Sequence, residues 1–371
     1  MSFSANATAV RALEAEMDDI ENIIGDLRNK HRSLRTQCNS NLPFFCLPLE
    51  ICIVIFSLAC HKGHLPRWKF LLVMTPFLIS SVCHGWRVMA RSAPELWCSV
   101  SLCMQPYIKD HSEFQAELLD QWLQLAKAWP LSIVMTFDKD EVLKNDEALE
   151  NHEASENDEA FDSQSEECLA ALAAATSVAT SHSHQWESLD LFLPFSWAKI
   201  FKSGMGHCPN LRSLYLHINV TERVDSFQLS KPPFSTMFRH APKLCTVTIG
   251  HEINVGLPYH QLEELTLWDD TLPEGFLSEC TNLKIFRAHN CWLTPTSPVT
   301  VYLSKLVSLE IITFTLQHVV GYLVTPSLVS ITIPLKGSEE IEAFSAFLTH
   351  SGVTLKHLSI IDYDPKEEKL L

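Results

Sequence analysis

Two short segments rich in histidine and cysteine are the first candidates for a metal site in this chain. They are Cys60-His61-Lys62-Gly63-His64 and His182-Ser183-His184. A zinc site takes four ligands at a characteristic spacing, and no fourth ligand is evident near the first cluster. We interpret both segments as polar loops, and we predict no metal site and no cofactor.

Common catalytic motifs are missing from the sequence. It has no G-x-x-x-x-G-K-[ST] loop, no G-x-G-x-x-G, no G-x-S-x-G and no H-E-x-x-H. Only 11 of its 371 residues are glycine, which makes phosphate-binding loops improbable. We predict that the chain is not an enzyme. The alternative is a hydrolase or transferase hidden in the C-terminal region, which a deep polar pocket with strongly perturbed carboxylates or histidines would favour.

Composition narrows the class of protein further. The net charge is −16, which argues against a nucleic-acid or anionic-membrane partner. Hydrophobic residues make up 46% of the chain, enough for cores in two or three domains. The 12 cysteines are scattered without a C-x-x-C pair, which is typical of reduced thiols in an intracellular protein, cytoplasmic, nuclear or both.

Two apolar runs, Leu42–Cys60 and Phe70–Cys83, resemble membrane spans at first sight. Prolines and Glu50 interrupt the first run, and the second is short and contains Pro76. We therefore predict no membrane span. Residues 1–16 lack the basic and then apolar regions of a secretory signal, so none is expected.

Residues 8–36 have the heptad pattern of a coiled-coil helix. Apolar residues alternate in steps of three and four, with His31 in the remaining core position: Val10, Leu13, Met17, Ile20, Ile24, Leu27 and Leu34. The flanking positions are acidic early (Glu14, Glu16, Glu21) and basic late (Arg28, Lys30, Arg35). This polarity complements the helix dipole and favours antiparallel pairing if two copies associate. A lone helix packed on its own domain is the other interpretation.

The stretch Leu47–Trp97 organises the N-terminal part of the chain. Pro48 suits the first position of a helix, and Glu50 is the only strongly polar residue from Leu49 to Ala59. A second helix face, ended by Pro94, is predicted by the spacing of Ile79, Val82, Cys83, Trp86 and Ala90. A module of about 50 residues cannot bury both sides of such helices, so an apolar face is left for a partner or for the rest of the chain.

This stretch resembles an F-box, in the form found in large fungal families. The matching residues are Leu47, Pro48, Glu50, Ile51, Ile55, Phe56, Pro76, Val82, Cys83, Trp86, Arg87, Pro94, Leu96 and Trp97. Leu49 and His84-Gly85 depart from the family pattern. The resemblance implies a three-helix domain, residues 42–100, that docks onto the Skp-type adaptor of a cullin–RING ubiquitin ligase. It assigns adaptor binding to Leu47, Pro48, Glu50, Ile51, Ile55, Phe56, Val82 and Trp86.

The next two segments differ sharply in composition. Residues 101–137 predict an amphipathic helix and then a strand, which connect the F-box to the repeats. Residues 138–168 are dominated by acidic side chains and predict a disordered, solvated insertion. Ser155 and Ser163 each precede an acidic residue by three places, so phosphorylation is an alternative role to that of a plain charged loop.

Residues 169–371 repeat the pattern Leu-x-x-apolar-x-apolar. We place eight copies at Trp186/Leu189/Leu191, Leu211/Leu214/Leu216, Leu244/Val247/Ile249, Leu262/Leu265/Leu267, Leu283/Phe286/Ala288, Leu309/Ile312/Phe314, Leu328/Ile331/Ile333 and Leu355/Leu358/Ile360. Their irregular period, centred in the twenties, resembles leucine-rich repeats. Asn219 and Cys291 stand where such repeats place a capping side chain. The prediction is a leucine-rich-repeat-like α/β solenoid with a parallel sheet; an ordinary α/β domain is the alternative.

On such a sheet the residues between the apolar positions face outward. They are Tyr215, His217, Thr248, Thr266, Trp268, Arg287, His289, Thr313, Thr315 and Thr332. Aromatic residues and arginine often anchor interfaces. We therefore predict a substrate-binding patch of Tyr215, His217, Trp268, Arg287 and His289, with a merely solvated sheet face as the alternative.

Together these features predict an α+β multidomain protein with a coiled-coil helix, an F-box and a repeat domain. The resemblance implies the substrate-receptor subunit of a Skp-cullin-F-box type ubiquitin ligase. Such a subunit binds the adaptor, and through it a cullin, with its F-box, and it binds a target protein with its repeats. The alternative is a protein-interaction scaffold outside any ligase, whose F-box is only structural.

Overall fold

The structure is a computed structural model that describes residues 2–60, 75–104, 109–137, 173–194, 208–219, 238–250, 255–268, 276–291, 300–312, 320–335 and 337–361. The acidic insertion predicted at 138–168 and most of the Cys60–His64 segment lie outside these residues. The chain divides into two compact units. The helical unit ends at Leu96, and the described part of the sheet unit begins at Trp97.

A single long helix, α1, runs from Ser2 to Ser40. It contains all of residues 8–36, and its 39 residues span about 58 Å at 1.5 Å per residue. The apolar side chains of the heptad pattern are exposed along it. The pairing of this helix with another remains a prediction.

The described part of the helical unit also contains three shorter helices. They are α2 (Leu49–Cys60), α3 (Thr75–Val82) and α4 (His84–Ser92). Pro48 directly precedes α2, where its missing N–H costs nothing, and Pro94 begins a short 3-10 turn after α4. Each helix contributes to the buried residues of this region, which include Cys52, Phe56, Ile79 and Ala90.

The continuous helix face predicted from Ile79 to Ala90 is wrong, because the chain breaks at Cys83. This residue is extended, with φ −158° and ψ 171°, and its Sγ accepts a hydrogen bond from the backbone N–H of Trp86 at 3.5 Å. Cys83 thereby satisfies one of the free N–H groups at the start of α4 and separates α4 from α3. Arg87 Nε donates to the Ser80 carbonyl at 2.9 Å and links the two helices across the break.

Aromatic rings form the centre of the helical unit. Phe44, Phe56 and Trp86 contact one another, with ring centroids 4.9 to 5.7 Å apart. Such offset and tilted contacts stabilise a core beyond their area of burial. Since these three residues come from the turn before α2, from α2 and from α4, the cluster fixes how these elements pack.

Within its described residues, the sheet unit has ten strands in one sheet, arranged in chain order, and every neighbouring pair is parallel. A separate two-stranded pair joins β8 (Val301–Tyr302) to β10 (Leu323–Val324). The ten strands are β1 (Ser99–Met104), β2 (Leu131–Phe137), β3 (Trp186–Pro194), β4 (Ser213–Asn219), β5 (Thr246–Gly250), β6 (Glu264–Trp268), β7 (Ile285–His289), β9 (Ser308–Ile312), β11 (Ser330–Pro334) and β12 (His357–Ile361). The prediction of a mixed helix and strand protein with a parallel sheet is confirmed.

The sheet starts earlier than the repeats were predicted to start. Residues 101–137, interpreted from the sequence as a connector, contribute most of β1 and all of β2 to the same sheet. In β2, Leu131, Ile133 and Met135 are fully buried, as the alternation of apolar residues requires of one sheet face. The two strands preceding Trp186 therefore extend the core of the sheet unit.

One tight turn recurs immediately before six of the strand segments. In each, the N–H of the leading residue donates to the carbonyl three residues earlier, at 3.1 to 3.3 Å. The donor–acceptor pairs are Leu211–Cys208, Leu244–Ala241, Leu262–Tyr259, Leu283–Cys280, Leu306–Leu303 and Leu328–Thr325. Proline follows the acceptor in three of them, which suits the second position of such a turn.

The turns are also joined to one another. The residue after each leading leucine donates its N–H to the equivalent carbonyl of the preceding unit, at 2.8 to 3.0 Å, for example from Arg212 to Glu187. Side chains add a second link: Asn210 Nδ2 donates to His184 O at 2.8 Å, and Lys243 Nζ donates to Asn210 Oδ1 at 2.7 Å. Asn282 repeats both links: its Nδ2 donates to His260 O, and its Oδ1 accepts from Lys305 Nζ.

The sixth predicted repeat, Leu309/Ile312/Phe314, is out of register by three residues. Leu309 pairs with Phe286 and Ile311 with Ala288, so the repeat is Leu306/Leu309/Ile311, all of it buried. Both triplets fit the same pattern, but Leu306 lies 23 residues after Leu283 and 22 before Leu328. Thr313 and Thr315, assigned outward from the wrong register, lie outside the described residues.

Helices connect several of the strands. They are α5 (Lys109–Ala126), α6 (residues 173–181), α7 (Phe276–Glu279) and α8 (Ser338–Ser351). Trp122 of α5 packs edge-on against Trp97 at 5.6 Å and donates its Nε1–H to the Trp97 carbonyl at 2.8 Å. None of the described helices is long and apolar enough to cross a membrane.

Candidate binding surfaces

Helix α2 presents an apolar face to solvent. Ile51, Val54, Ile55 and Leu58 are exposed, and their spacing of three and four residues places them on one side of the helix. Cys52 and Phe56 lie on the other side and are buried. A helix that is apolar almost all round can bury only one side in so small a unit, so the second side remains in contact with water.

The eight residues assigned to adaptor binding divide into two groups. Phe56 and Trp86 belong to the aromatic cluster, where Phe56 is only 1% exposed. The other six residues are exposed: Leu47, Pro48, Glu50, Ile51, Ile55 and Val82. The first group holds the helices together, and the second is the part of the set that a partner can reach.

Strand pairing aligns the side chains on one face of the sheet unit in two rows, of which Thr266 and His289 are buried. The first row contains Asp190, Tyr215, Thr248, Thr266, Arg287, Glu310 and Thr332, taken strand by strand from β3 to β11. The second row contains Phe192, His217, Gly250, Trp268, His289 and Ile312. All five predicted substrate-binding residues therefore lie on one face, within four adjacent strands.

Ring stacking joins the two rows at one end of the face and joins two members of the second row at the other end. Phe192 stacks on Tyr215 with centroids 4.8 Å apart and lies 5.5 Å from His217. Trp268 stacks on His289 at 4.0 Å, with 18° between the ring planes. Trp268 remains 37% exposed, so its outer surface is available to a partner.

Gly250 lies between His217 and Trp268 in the second row. A Cβ at this position would lie 2.5 Å from His217 Nδ1, so the His217 ring lies directly over the glycine. Only a residue without a side chain allows that close approach. The glycine therefore determines where the His217 ring rests on the sheet face.

The guanidinium of Arg287 lies between two glutamate carboxylates. Its Nη1 forms an ion pair with Glu264 Oε1, and its Nε lies 3.4 Å from Glu310 Oε2. His289 Nε2 lies 3.6 Å from Glu310 Oε1. A guanidinium that is already paired makes a weaker anion-binding group, so this end of the patch is acidic and aromatic in character.

Sequence reasoning missed Phe192, Glu264 and Glu310 on this face. Glu310 was missed because the sixth repeat was placed in the wrong register. A more even spacing between leading leucines favours Leu306 and would have placed Glu310 on this face. Phe192 follows the last apolar position of its repeat, Leu191, by one residue, as His217 and Trp268 do in their own repeats. This equivalent position in the repeat could have predicted that Phe192 lies on the same face as His217 and Trp268.

Few groups among the described residues could bind a metal ion or act as a nucleophile. No three His, Cys, Asp or Glu side chains within them could hold a metal ion together. Burial raises the pKa of Cys208 to about 11. Burial, helped by the neighbouring Glu279 carboxylate, raises the pKa of Cys280 to about 12. Thiols of this kind stay protonated at neutral pH and are poor nucleophiles.

Comparison of the chain with protein-family models, with curated proteins and with solved structures gives no match. The chemistry of the surfaces described above must therefore carry any functional assignment.

Proposed function

We propose that this chain is the substrate-receptor subunit of a Skp-cullin-F-box type ubiquitin ligase. The observation that carries the proposal is the exposed apolar face of α2, within a stretch whose residues resemble an F-box. In this proposal α2 docks onto the Skp-type adaptor, and the adaptor links the chain to a cullin. The chain itself does no bond chemistry.

The energetic argument rests on Ile51, Val54, Ile55 and Leu58. Burying one such side chain from full exposure contributes about 1.5–3 kcal/mol, and since these four are 40–70% exposed, a partner that covers them gains roughly half of that for each. The aromatic cluster of Phe44, Phe56 and Trp86 packs the helices together on the other side of α2, where Phe56 lies. A surface that is apolar and not needed for the unit's own core is typical of a docking site.

We further propose that the sheet unit is an irregular leucine-rich-repeat-like solenoid. Three observations support this: the strand order follows the chain, each strand pairs only with its neighbours, and one turn recurs before six strand segments. Units that cannot bury their own apolar side chains must stack in this way.

The outward face of the sheet unit is the proposed site for a target protein. Its partly exposed stack of Trp268 on His289 and the neighbouring Phe192–Tyr215 pair offer flat aromatic surface. Aromatic residues of this kind dominate binding energy at protein interfaces. A receptor that holds a target beside a ubiquitin-charged enzyme acts by raising the effective concentration of target lysines.

Co-purification of the full-length protein with a Skp-type adaptor tests this proposal. The test variant is Ile55→Asp, and the matched control is Val307→Asp in the sheet unit. Both positions are exposed to a similar degree, 40% and 42%. We expect wild type and the control to retain the adaptor and Ile55→Asp to lose it. Thermal unfolding of all three proteins checks that folding is preserved.

Two outcomes would contradict the proposal. If wild type retains no adaptor, the scaffold interpretation replaces it. If Ile55→Asp binds as well as wild type, α2 is not the docking surface. Trp86→Ala is unsuitable as the test variant, because Trp86 contacts Phe44 and Phe56 and its loss would disturb the core.

A further inference from the structure

Helix α1 carries an uncovered apolar stripe along most of its length. The seven aliphatic and methionine side chains at its heptad core positions, between Val10 and Leu34, are each 40 to 62% exposed. Within the described residues these side chains are not covered by the rest of the chain. A stripe at this spacing fits the seam of a coiled coil, in which a second helix would bury it.

Charges beside the stripe are placed symmetrically about a point between Ile24 and Gly25. On one flank, four exposed residues recur every seven positions: Glu14, Glu21, Arg28 and Arg35. Glu14 and Arg35 are equally far from the midpoint between Ile24 and Gly25, and so are Glu21 and Arg28. The acidic half of this flank is therefore the mirror image of its basic half.

We propose that α1 pairs with α1 of a second copy of this chain, in antiparallel orientation. Antiparallel pairing sets like flanks against each other, so Glu14 faces Arg35 of the second copy and Glu21 faces Arg28. Two-fold symmetry repeats both contacts, which gives four attractive pairs along one side of the seam. A surface that is complementary to itself in this way is what a two-fold dimer requires.

Parallel pairing is disfavoured by the opposite flank. There, a parallel coiled coil brings each residue beside the one five positions later in the second helix. Glu16 would face Glu21 of the second copy, and Lys30 would face Arg35. Like charges at these positions repel, so orientation as well as association is encoded in the charges.

A mixing experiment with full-length protein tests the pairing. One variant, Glu14→Arg/Glu21→Arg, makes the flank wholly basic, and the other, Arg28→Glu/Arg35→Glu, makes it wholly acidic. We expect wild type to form a dimer in light scattering after size exclusion. Each variant alone should associate at least about tenfold more weakly, and an equimolar mixture should recover the dimer.

The same mixture discriminates between orientations. In parallel pairs of these variants, the attractive and repulsive contacts cancel in every combination. Mixing the variants would then not strengthen dimer formation. The matched control is Asp19→Arg/Asp26→Arg, which makes the same change of charge on the helix side away from the seam. It should dimerise like wild type.

A cross-link reports the orientation directly. The proposed register brings Leu13 close to Cys38 of the second copy, and Cys38 is exposed. In the Leu13→Cys variant, oxidation should join position 13 to Cys38 of the other chain, as identified by peptide mass spectrometry. In this register the two Cys38 residues lie about 38 Å apart along the axis at 1.5 Å per residue, so they should not join.

Wild-type protein that is monomeric at tens of micromolar would overturn the proposal, as would a mixture that does not recover the dimer. A dominant Cys38–Cys38 cross-link between chains would overturn the antiparallel orientation. The outcome is independent of adaptor binding, since Ile55→Asp changes α2 and leaves the α1 seam intact.

Discussion

Gly85 is a single residue whose lack of a side chain has a packing reason. A Cβ at this position would lie 2.5 Å from Phe45 Cε1. The absence of a side chain thus lets the Phe45 ring lie against the backbone of α4, beside the aromatic cluster. Gly85 is the second residue of α4, so this contact lies in the first turn of the helix and not in its interior.

The buried thiol of Cys280 predicts a dependence of stability on alkaline pH. Its pKa is raised to about 12 in the folded protein, against 9.0 for an ordinary thiol. Between these values the unfolded chain releases the proton and the folded chain keeps it, so the free energy of unfolding falls as pH rises above 9. The loss is at most about 1.4 kcal/mol per pH unit.

Denaturant unfolding at pH 8 and pH 10 measures this effect. We expect the drop in stability between these pH values to be smaller in Cys280→Ala than in wild type. Cys38→Ala, which removes an exposed thiol, serves as the control and should leave the drop unchanged. An identical drop in all three proteins would show that Cys280 does not titrate differently in the folded and unfolded states.

At the scale of elements, the position of β9 depends on pairing between strands. Leu306/Leu309/Ile311 and Leu309/Ile312/Phe314 are equally good matches to the repeat pattern. Hydrogen bonding decides between them, because Val307 N donates to Lys284 O and Leu306 closes the recurrent turn. The break between α3 and α4 is similar: periodicity continues through Cys83, yet a local hydrogen bond ends one helix and starts the next.

Leu306→Ala tests the observed register of β9. Leu306 is fully buried, so its truncation should lower the free energy of unfolding by about 2–5 kcal/mol. Val307→Ala is the matched control, since the adjacent side chain is exposed and should lose less than about 1 kcal/mol. Denaturant midpoints compare the two, and equal losses would contradict the register.

At the scale of the whole molecule, the last strand of the sheet differs from the others. Leu358 and Ile360 of β12 pair in register with Ile331 and Ile333 of β11, which are buried. Their own side chains are 49% and 57% exposed. Strand β12 therefore gains its stability from backbone pairing with β11, while the apolar layer that covers the inner strands is thin at this end.

Hydrogen exchange followed by mass spectrometry tests this gradient. Peptides that cover β12 should exchange faster than peptides that cover β6 or β7, because opening an end strand exposes less apolar surface than opening an inner one. Equal protection at β12 and β6 would contradict the prediction and would indicate that the apolar residues of β12 are covered in solution.

Sequence alone determined the elements with strong local signals. The heptad pattern predicted the helix that spans residues 8–36, and proline placed the starts of α2 and of the turn after α4. The alternation around each leading leucine predicted strands in a parallel sheet, because one buried face demands period-two spacing. The five residues of the predicted sheet-face patch also share one face, since that assignment needs only the alternation.

Tertiary structure decided the features that depend on contacts distant in sequence. The register of β9, and with it the pairing of Glu310 with Arg287 and His289, results from strand pairing that no local pattern specifies. The division of the F-box-like residues into a buried aromatic cluster and an exposed face of α2 also required the packed helices. An all-round apolar helix does not reveal from its sequence which side meets its neighbours, because burial is decided by the surfaces that come together.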